Sequence, residues 1–180
     1  MPNVQNITGD IFKQNVSAIV NPVNCKGVMG NGLALLFKNR HPKMFEDYRR
    51  MCLGGQLRPG KLHTWEVAPN RWIINLPTKD AYWDANKQSV PSKLEDVAAG
   101  LEALVAFANA HNLKSVAMPA LGCGKGGLKF ADVQPLITAA AAKMPHTTVS
   151  IVLVPREQHV GINKNSASLA SFTRSDVFER

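Results

Sequence analysis

Short apolar runs alternate along this chain with longer stretches of helical period. Residues 4–7 predict a short strand, and residues 18–20, Ala-Ile-Val, predict a buried one. Residues 33–40 predict a helix, and Pro42 opens a second that runs to about residue 52. Residues 62–67 and 72–76 read as strands joined by Ala68-Pro69-Asn70-Arg71, the composition of a hairpin turn. Leu94, Val97, Ala98, Leu101, Leu104, Val105 and Ala108 recur at helical spacing and predict a core-facing helix, ended by His111-Asn112. Ser92, with Glu95 three residues on, predicts a capping box at its start. Residues 115–118 predict a strand, residues 130–143 a helix, and the β-prone run at 147–154 a central strand. The pattern then fades. Residues 1–155 are expected to form one α/β sandwich with a mostly parallel or mixed sheet. Residues 156–180 are expected to be a partly irregular or loosely docked tail.

Two of the strand-to-helix junctions are rich in glycine. The first is NPVNCKGVMGNGLALL, residues 21–36, and the second is PALGCGKGGL, residues 119–128. Glycine lets a backbone approach a ligand closely, and free N–H groups at a helix start favour an anion. Asn21 and Asn24 add amide donors and acceptors beside the first loop. The combination reads as a site for a phosphate-bearing ligand with a sugar nearby; the plainer reading is an ordinary glycine-containing turn. Both loops are expected at the carboxyl ends of their strands, where open α/β sheets bind ligands. Facing each other, they could clamp a pyrophosphate from both sides. Asp10, in Gly9-Asp10-Ile11, is either a turn or cap residue or an acceptor for the exocyclic amine of a base.

Composition narrows the classes. A chain of 180 residues fits one domain with a substantial core, and its apolar runs are too short to span a bilayer. The N-terminus has neither the basic start nor the apolar core of a signal peptide. Cys25, Cys52 and Cys123 are odd in number and widely spaced, which suits a reducing cytoplasm and offers neither a disulfide framework nor a zinc pattern. The net charge of +8 either attracts a polyanion or only keeps the surface soluble. The charge is uneven: Lys38, Arg40, Lys43, Arg49 and Arg50 crowd one region, and Lys125 and Lys129 another. That unevenness favours a nucleic acid.

The two loops together with Gly9-Asp10-Ile11 resemble the macrodomain, an ADP-ribose-binding module, from Val4 to about Val154. Residues 25–38, CKGVMGNGLALLFK, look like the loop and helix of its DNA ADP-ribosyl glycohydrolase branch, which are antitoxins, and of a relative, the terminal ADP-ribose protein glycohydrolase. Leu76-Pro77-Thr78-Lys79 resembles the segment carrying that branch's catalytic lysine, and Leu121-Gly122-Cys123-Gly124 matches its second loop. The resemblance implies a three-layer α/β/α sandwich around a central mixed sheet. It implies that Asp10 binds the adenine amine and that Ile11 lines the adenine pocket. Val28, Met29, Gly30 and Gly32, with Leu121, Gly122, Cys123, Gly124, Lys125, Gly126 and Gly127, would hold the pyrophosphate and distal ribose. Asn21 and Asn24 would lie near that ribose, and Lys79 would carry the chemistry. The protein-directed hydrolase has an aspartate in its second loop where this chain has Gly126, so the likeness favours the DNA-directed branch.

The implied activity is removal of ADP-ribose from a base, thymidine being expected, in single-stranded DNA, with no cofactor or metal, no membrane partner and a monomeric enzyme. A lysine at position 79 either attacks a ring-opened sugar as an amine or stabilises the leaving base as a cation. Asp80 and Asp84 are candidate acids or merely loop residues. Tyr82 and Trp83 either stack on an extruded base or pack onto the domain. Two rivals remain: an ADP-ribose-binding module without turnover, and a hydrolase of protein-linked or small-molecule ADP-ribose esters.

Overall fold

Residues 18–20 are apolar at every position because their strand is covered on both faces. The computed structural model describes residues 3–155, so the expected tail at 156–180 lies outside the described residues. The strands are β1 (Val4–Thr8), β2 (Ala18–Val23), β3 (His63–Ala68), β4 (Arg71–Pro77), β5 (Ser115–Met118) and β6 (Thr148–Leu153). They form one sheet in the order β1-β6-β5-β2-β4-β3. Every neighbouring pair is parallel except β3 with β4. The helices are α1 (Gly32–Arg40), α2 (Pro42–Leu53), α3 (Leu94–Ala110) and α4 (Phe130–Ala142).

Alternation along β2 divides the core. Ala18 and Val20 face α3 and α4, among Leu101, Leu104, Val133 and Ile137. Ile19 and Val23 face α1 and α2, among Phe37, Met44 and Tyr48. The result is the expected three-layer α/β/α sandwich with a mixed sheet. The approach of α3 to the sheet is close at one point: a Cβ on Gly100 would lie 2.5 Å from Leu76 Cδ2 and 2.8 Å from its Cγ.

The structure moves some expected boundaries. β2 runs on through Asn21-Pro22-Val23, which the sequence suggested was already loop. Pro22 is tolerated there because β5 pairs with β2 only at Ala18 and Ile19, so one side of the strand is open. The run expected to be central is β6, an interior strand between β1 and β5. The capping box does not form. Lys93 is the N-cap residue of α3 and makes no side-chain cap hydrogen bond, while Ser92 Oγ donates instead to Thr78 Oγ1 at 3.1 Å.

Replacing Gly100 by alanine should destabilise the fold by about 1–3 kcal/mol, the scale of overpacking. Glycine-to-alanine changes inside helices ordinarily stabilise by close to 1 kcal/mol. Urea unfolding of the two proteins reads the sign directly.

Candidate functional site

Three adjacent parallel strands set the geometry. β5, β2 and β4 point the same way, so the segments after them leave the sheet at one edge. After β5 comes the second glycine loop, after β2 the first, and after β4 comes Lys79. From β2 the chain proceeds towards β4 and β3, and from β5 towards β6. The two loops therefore flank the point where the winding reverses, the place where open α/β sheets form a crevice. Asp10 follows β1 at the same edge, four strand spacings from β4. At about 4.8 Å per spacing that is roughly 19 Å, room for an extended ligand of dinucleotide size.

The first loop is held from inside. Asn24 Oδ1 accepts from Lys26 N at 2.9 Å, and Asn24 Nδ2 donates to the Val28 carbonyl at 2.8 Å. Tyr48 Oη donates to the Asn24 carbonyl at 2.6 Å. Asn24 thus shapes the loop with its own amide. Gly27 has φ +76, and a Cβ there would meet Arg49 Cγ at 3.0 Å, so the loop lies directly on α2. Asn21 is 0% exposed and does not reach the cleft surface. It opens a polar chain that runs from the core out to the half-exposed Asp47: Asn21 Nδ2 to Asn75 Oδ1, Asn75 Nδ2 to His63 Nδ1, and His63 Nε2 to Asp47 Oδ2, each 2.9 Å. Asn21 Oδ1 has no partner among the described residues. Helix α1 then begins at Gly32, and its N-cap residue Asn31 makes no capping hydrogen bond. Helix α4, after the second loop, likewise starts without a side-chain cap at Lys129. Both helix starts keep donors for an anion.

The second loop is tied to Lys79 through Ser92, a link the sequence did not suggest. Ser92 N donates to the Gly126 carbonyl at 2.9 Å, Ser92 Oγ donates to Thr78 Oγ1, and Lys93 N donates to the Thr78 carbonyl at 3.2 Å. Gly126 sits so tightly that a Cβ would be 2.3 Å from Ser92 Oγ and 2.4 Å from the Gly122 carbonyl oxygen. A side chain, aspartate included, has no place there in this backbone. Gly124 and Lys125 are exposed, while Leu121 and Gly122 are buried in the base of the loop.

Lys79 is half-buried, and its pKa lies below the usual lysine value of 10.5, first because of burial and then because of the charge on Lys125. Its Nζ donates to the Val90 carbonyl at 3.1 Å and lies 5.3 Å from the centre of the Tyr82 ring. The intervening segment is a small closed flap. Asp84 Oδ1 accepts from Asn86 N at 2.8 Å and from Gln88 N at 2.9 Å, and Trp83 bridges to Ser89. Asp84 is therefore a turn residue here, and Asp80 faces Lys26 at 3.8 Å. Trp83 is 55% exposed, whereas Tyr82 Oη accepts a hydrogen bond from Asn31 Nδ2.

At the far end Asp10 Oδ1 accepts from Phe12 N at 2.9 Å, capping the 3-10 turn Ile11–Lys13, and Ile11 is buried. The cap is one of the two roles the sequence left open. Of the basic cluster, Lys38 Nζ lies 4.5 Å from the Phe45 ring centre, Arg40 lies over Phe12, and Arg50 meets Asp47 at 3.2 Å. Lys43 and Arg49 are exposed. The cysteines are poor nucleophiles: burial and then the Asp80 charge push Cys25 up to about 12, and burial and then Asp132 raise Cys123. Among the described residues no group of three His, Cys, Asp or Glu could hold a metal ion, and no helix is long and apolar enough to cross a membrane.

The chain matches the family model of the Macro domain over residues 20–137. A curated relative, DNA ADP-ribosyl glycohydrolase of Mycobacterium tuberculosis, is 40% identical over 151 residues, which are 82% of this chain and 41% of that protein. The chain thus spans about two fifths of that relative's length. Among solved structures, the macrodomain of Mycobacterium tuberculosis DarG aligns with TM-score 0.76 and 36% identity, covering 84% of this chain and 97% of that one. Thermosipho africanus DarTG in complex with ADP-ribose aligns with TM-score 0.76 and 27% identity, covering 87% of this chain and 43% of that one.

The charge on Lys125 acts on Lys79 across the cleft. In Lys125→Ala the Lys79 ammonium should lose its proton at a higher pH than in the wild type, because a like charge no longer opposes protonation. A carbon-13 NMR titration of the lysine Cε resonances, with Lys79 assigned through Lys79→Arg, measures the displacement.

Proposed function

The chain belongs to the Macro domain family, and from that premise we propose that it is a glycohydrolase releasing ADP-ribose from a nucleobase, thymidine being expected, in single-stranded DNA. The reaction would reverse a toxin-type modification. The observation that carries this reading is Lys79, half-buried with a lowered pKa at the edge where both glycine loops emerge. The relatives support it: one bears the name DNA ADP-ribosyl glycohydrolase, and one solved homologue holds ADP-ribose. Gly126 supports the choice of a base-linked substrate over a protein ester, since its seat leaves no room for a second-loop aspartate. Three free cysteines support a reducing, cytoplasmic setting.

In this reading Asp10 accepts the adenine amine with the carboxylate that also caps residues 11–13, and Ile11 lines the adenine pocket. Val28, Met29, Gly30 and Gly32 face Leu121, Gly122, Cys123, Gly124, Lys125, Gly126 and Gly127 around the pyrophosphate and distal ribose. Asn24 fixes the first loop, and Asn21 supports it from below rather than touching the sugar. Tyr82 and Trp83 flank the extruded base, with Trp83 presenting the exposed face. Ring opening breaks the bond between the distal ribose's anomeric carbon and its ring oxygen, which takes a proton from water. Lys79, as a neutral amine, adds to that carbon, and the base leaves carrying the proton the amine gives up. Water hydrolyses the resulting imine, releasing ADP-ribose and restoring the lysine.

Lys79→Ala should nearly abolish release of ADP-ribose from modified single-stranded DNA in single-turnover assays, with little change in ADP-ribose affinity by calorimetry. A loss confined to turnover marks a group used in the transition state. Lys79→Arg should fail as well, because guanidinium stays protonated. Partial activity in Lys79→Arg would assign a purely electrostatic role, and full activity in Lys79→Ala would remove the residue from the mechanism. Offering ADP-ribosylated DNA, ADP-ribosylated protein and an ADP-ribose ester in parallel tests the substrate class. A wild type that releases ADP-ribose from the last two alone would overturn the DNA assignment.

Asp10→Ala should weaken ADP-ribose by roughly 1–3 kcal/mol, the scale of a lost charged hydrogen bond. A ligand lacking adenine, such as ribose 5-phosphate, should lose much less. Equal losses would leave Asp10 as a cap only.

A further inference from the structure

Asn31 occupies the N-cap position of α1 with extended backbone, the place where an asparagine side chain ordinarily accepts from the first turn. It makes no such bond. Its Nδ2 reaches across to Tyr82 Oη, in the flap that follows β4. The flap holds itself together through Asp84, the Trp83 bridge to Ser89, and Val90 N on the Tyr82 carbonyl at 3.1 Å. At its base the segment is tied to the first loop through Asp80, whose carbonyl accepts from Cys25 N at 3.0 Å and whose carboxylate faces Lys26 at 3.8 Å, and further along it is tied to the start of α1 through the Tyr82 hydroxyl. The Tyr82 ring carries Trp83 edge-on, with centres 4.6 Å apart and planes at 90°. Lys79 Nζ lies over the same ring, and its hydrogen-bond acceptor, the Val90 carbonyl, belongs to the same flap.

We propose that Asn31 and Tyr82 form a strap across the ribose end of the cleft, and that Tyr82 is thereby a positioning residue for the Lys79 side chain. The proposal rests on the catalytic reading of Lys79. The strap gives an aromatic ring, besides any stacking on a base, the task of fixing where the Nζ sits. Opposed influences meet at that nitrogen. The Val90 carbonyl and the ring face favour the ammonium. Burial and Lys125, from the second loop, favour the amine. Asp80, next in the chain, is turned to Lys26. Moving the ring away from Lys79 removes one of the two groups that favour charge.

The test reads Lys79 directly and needs no substrate. In the carbon-13 titration, Tyr82→Leu, which removes the ring, should shift deprotonation of Lys79 to lower pH by about half a unit, the cation–π contribution expressed as pKa. Tyr82→Phe and Asn31→Ala keep the ring but free it. Each should shift the titration the same way by a smaller and equal amount, and the double variant should shift it no further. Unchanged melting temperature and ADP-ribose affinity would show that the fold and the rest of the cleft persist. An unmoved Lys79 titration in Tyr82→Leu, or shifts in Tyr82→Phe and Asn31→Ala that simply add, would overturn the strap. Single-turnover rates on modified DNA should fall in all three single variants. A wild type inactive on DNA would count against the glycohydrolase reading and leave the titration result standing on its own.

Discussion

Parallel pairing of β2 with β4 on one side and β5 on the other is the constraint from which the site follows. Parallel neighbours must end at the same edge, and ladder spacing then holds their ends about 4.8 Å apart. Two glycine loops and a lysine, widely separated along the chain, become neighbours for that reason alone. The pairing needs β2 covered on both faces, which is why its first three residues are apolar without alternation and why α3 comes so close that Gly100 lacks room for a methyl group. Core packing and site geometry are the same set of contacts seen from two ends.

Beneath the first loop the sheet carries a polar thread from Asp47 on α2 through His63 and Asn75 to Asn21. Each link satisfies a group that would otherwise cost about 1–3 kcal/mol to bury unpaired. Register explains its position: Asn21 pairs with Asn75 across β2 and β4, and His63 with Asn75 across β3 and β4. The Asn21 amide also lies 3.9 Å from Met29 Sδ, so the thread ends against the underside of the first loop. Its unpartnered Oδ1 marks where the polar chain stops and the apolar core resumes.

Much of this was legible in the residues. Periodicity located every strand and α-helix of the described chain within a few positions, because each element buries a face whose spacing is written in its apolar residues. The loops were legible because two glycine-rich strand-to-helix junctions occur in one chain, where either alone reads equally as an ordinary turn. Ser92, Asn31 and Asn21 were not. Ser92 and Glu95 have the spacing of a capping box, yet the serine is drawn instead to Thr78 and Gly126, partners 14 and 34 positions away, which local sequence cannot reveal. Asn21 looked like a ligand amide because the strand was taken to end before it; one more turn of alternation turns it into the core. Asn31 stands between two glycines with no local partner in sequence, and only the tertiary fold brings Tyr82 to it.

The seat of Gly126 bears on how such proteins can diverge. Its backbone rests against Ser92 and Gly122, and Ser92 in turn grips the strand end that presents Lys79. A carboxylate cannot be added at this position by one codon change while the loop keeps its path. The loop, the serine and the strand end would have to be rebuilt together. A side chain at position 126 therefore goes with a different backbone path through three segments at once, and the chemistry this loop can offer is set by that path before it is set by any single residue.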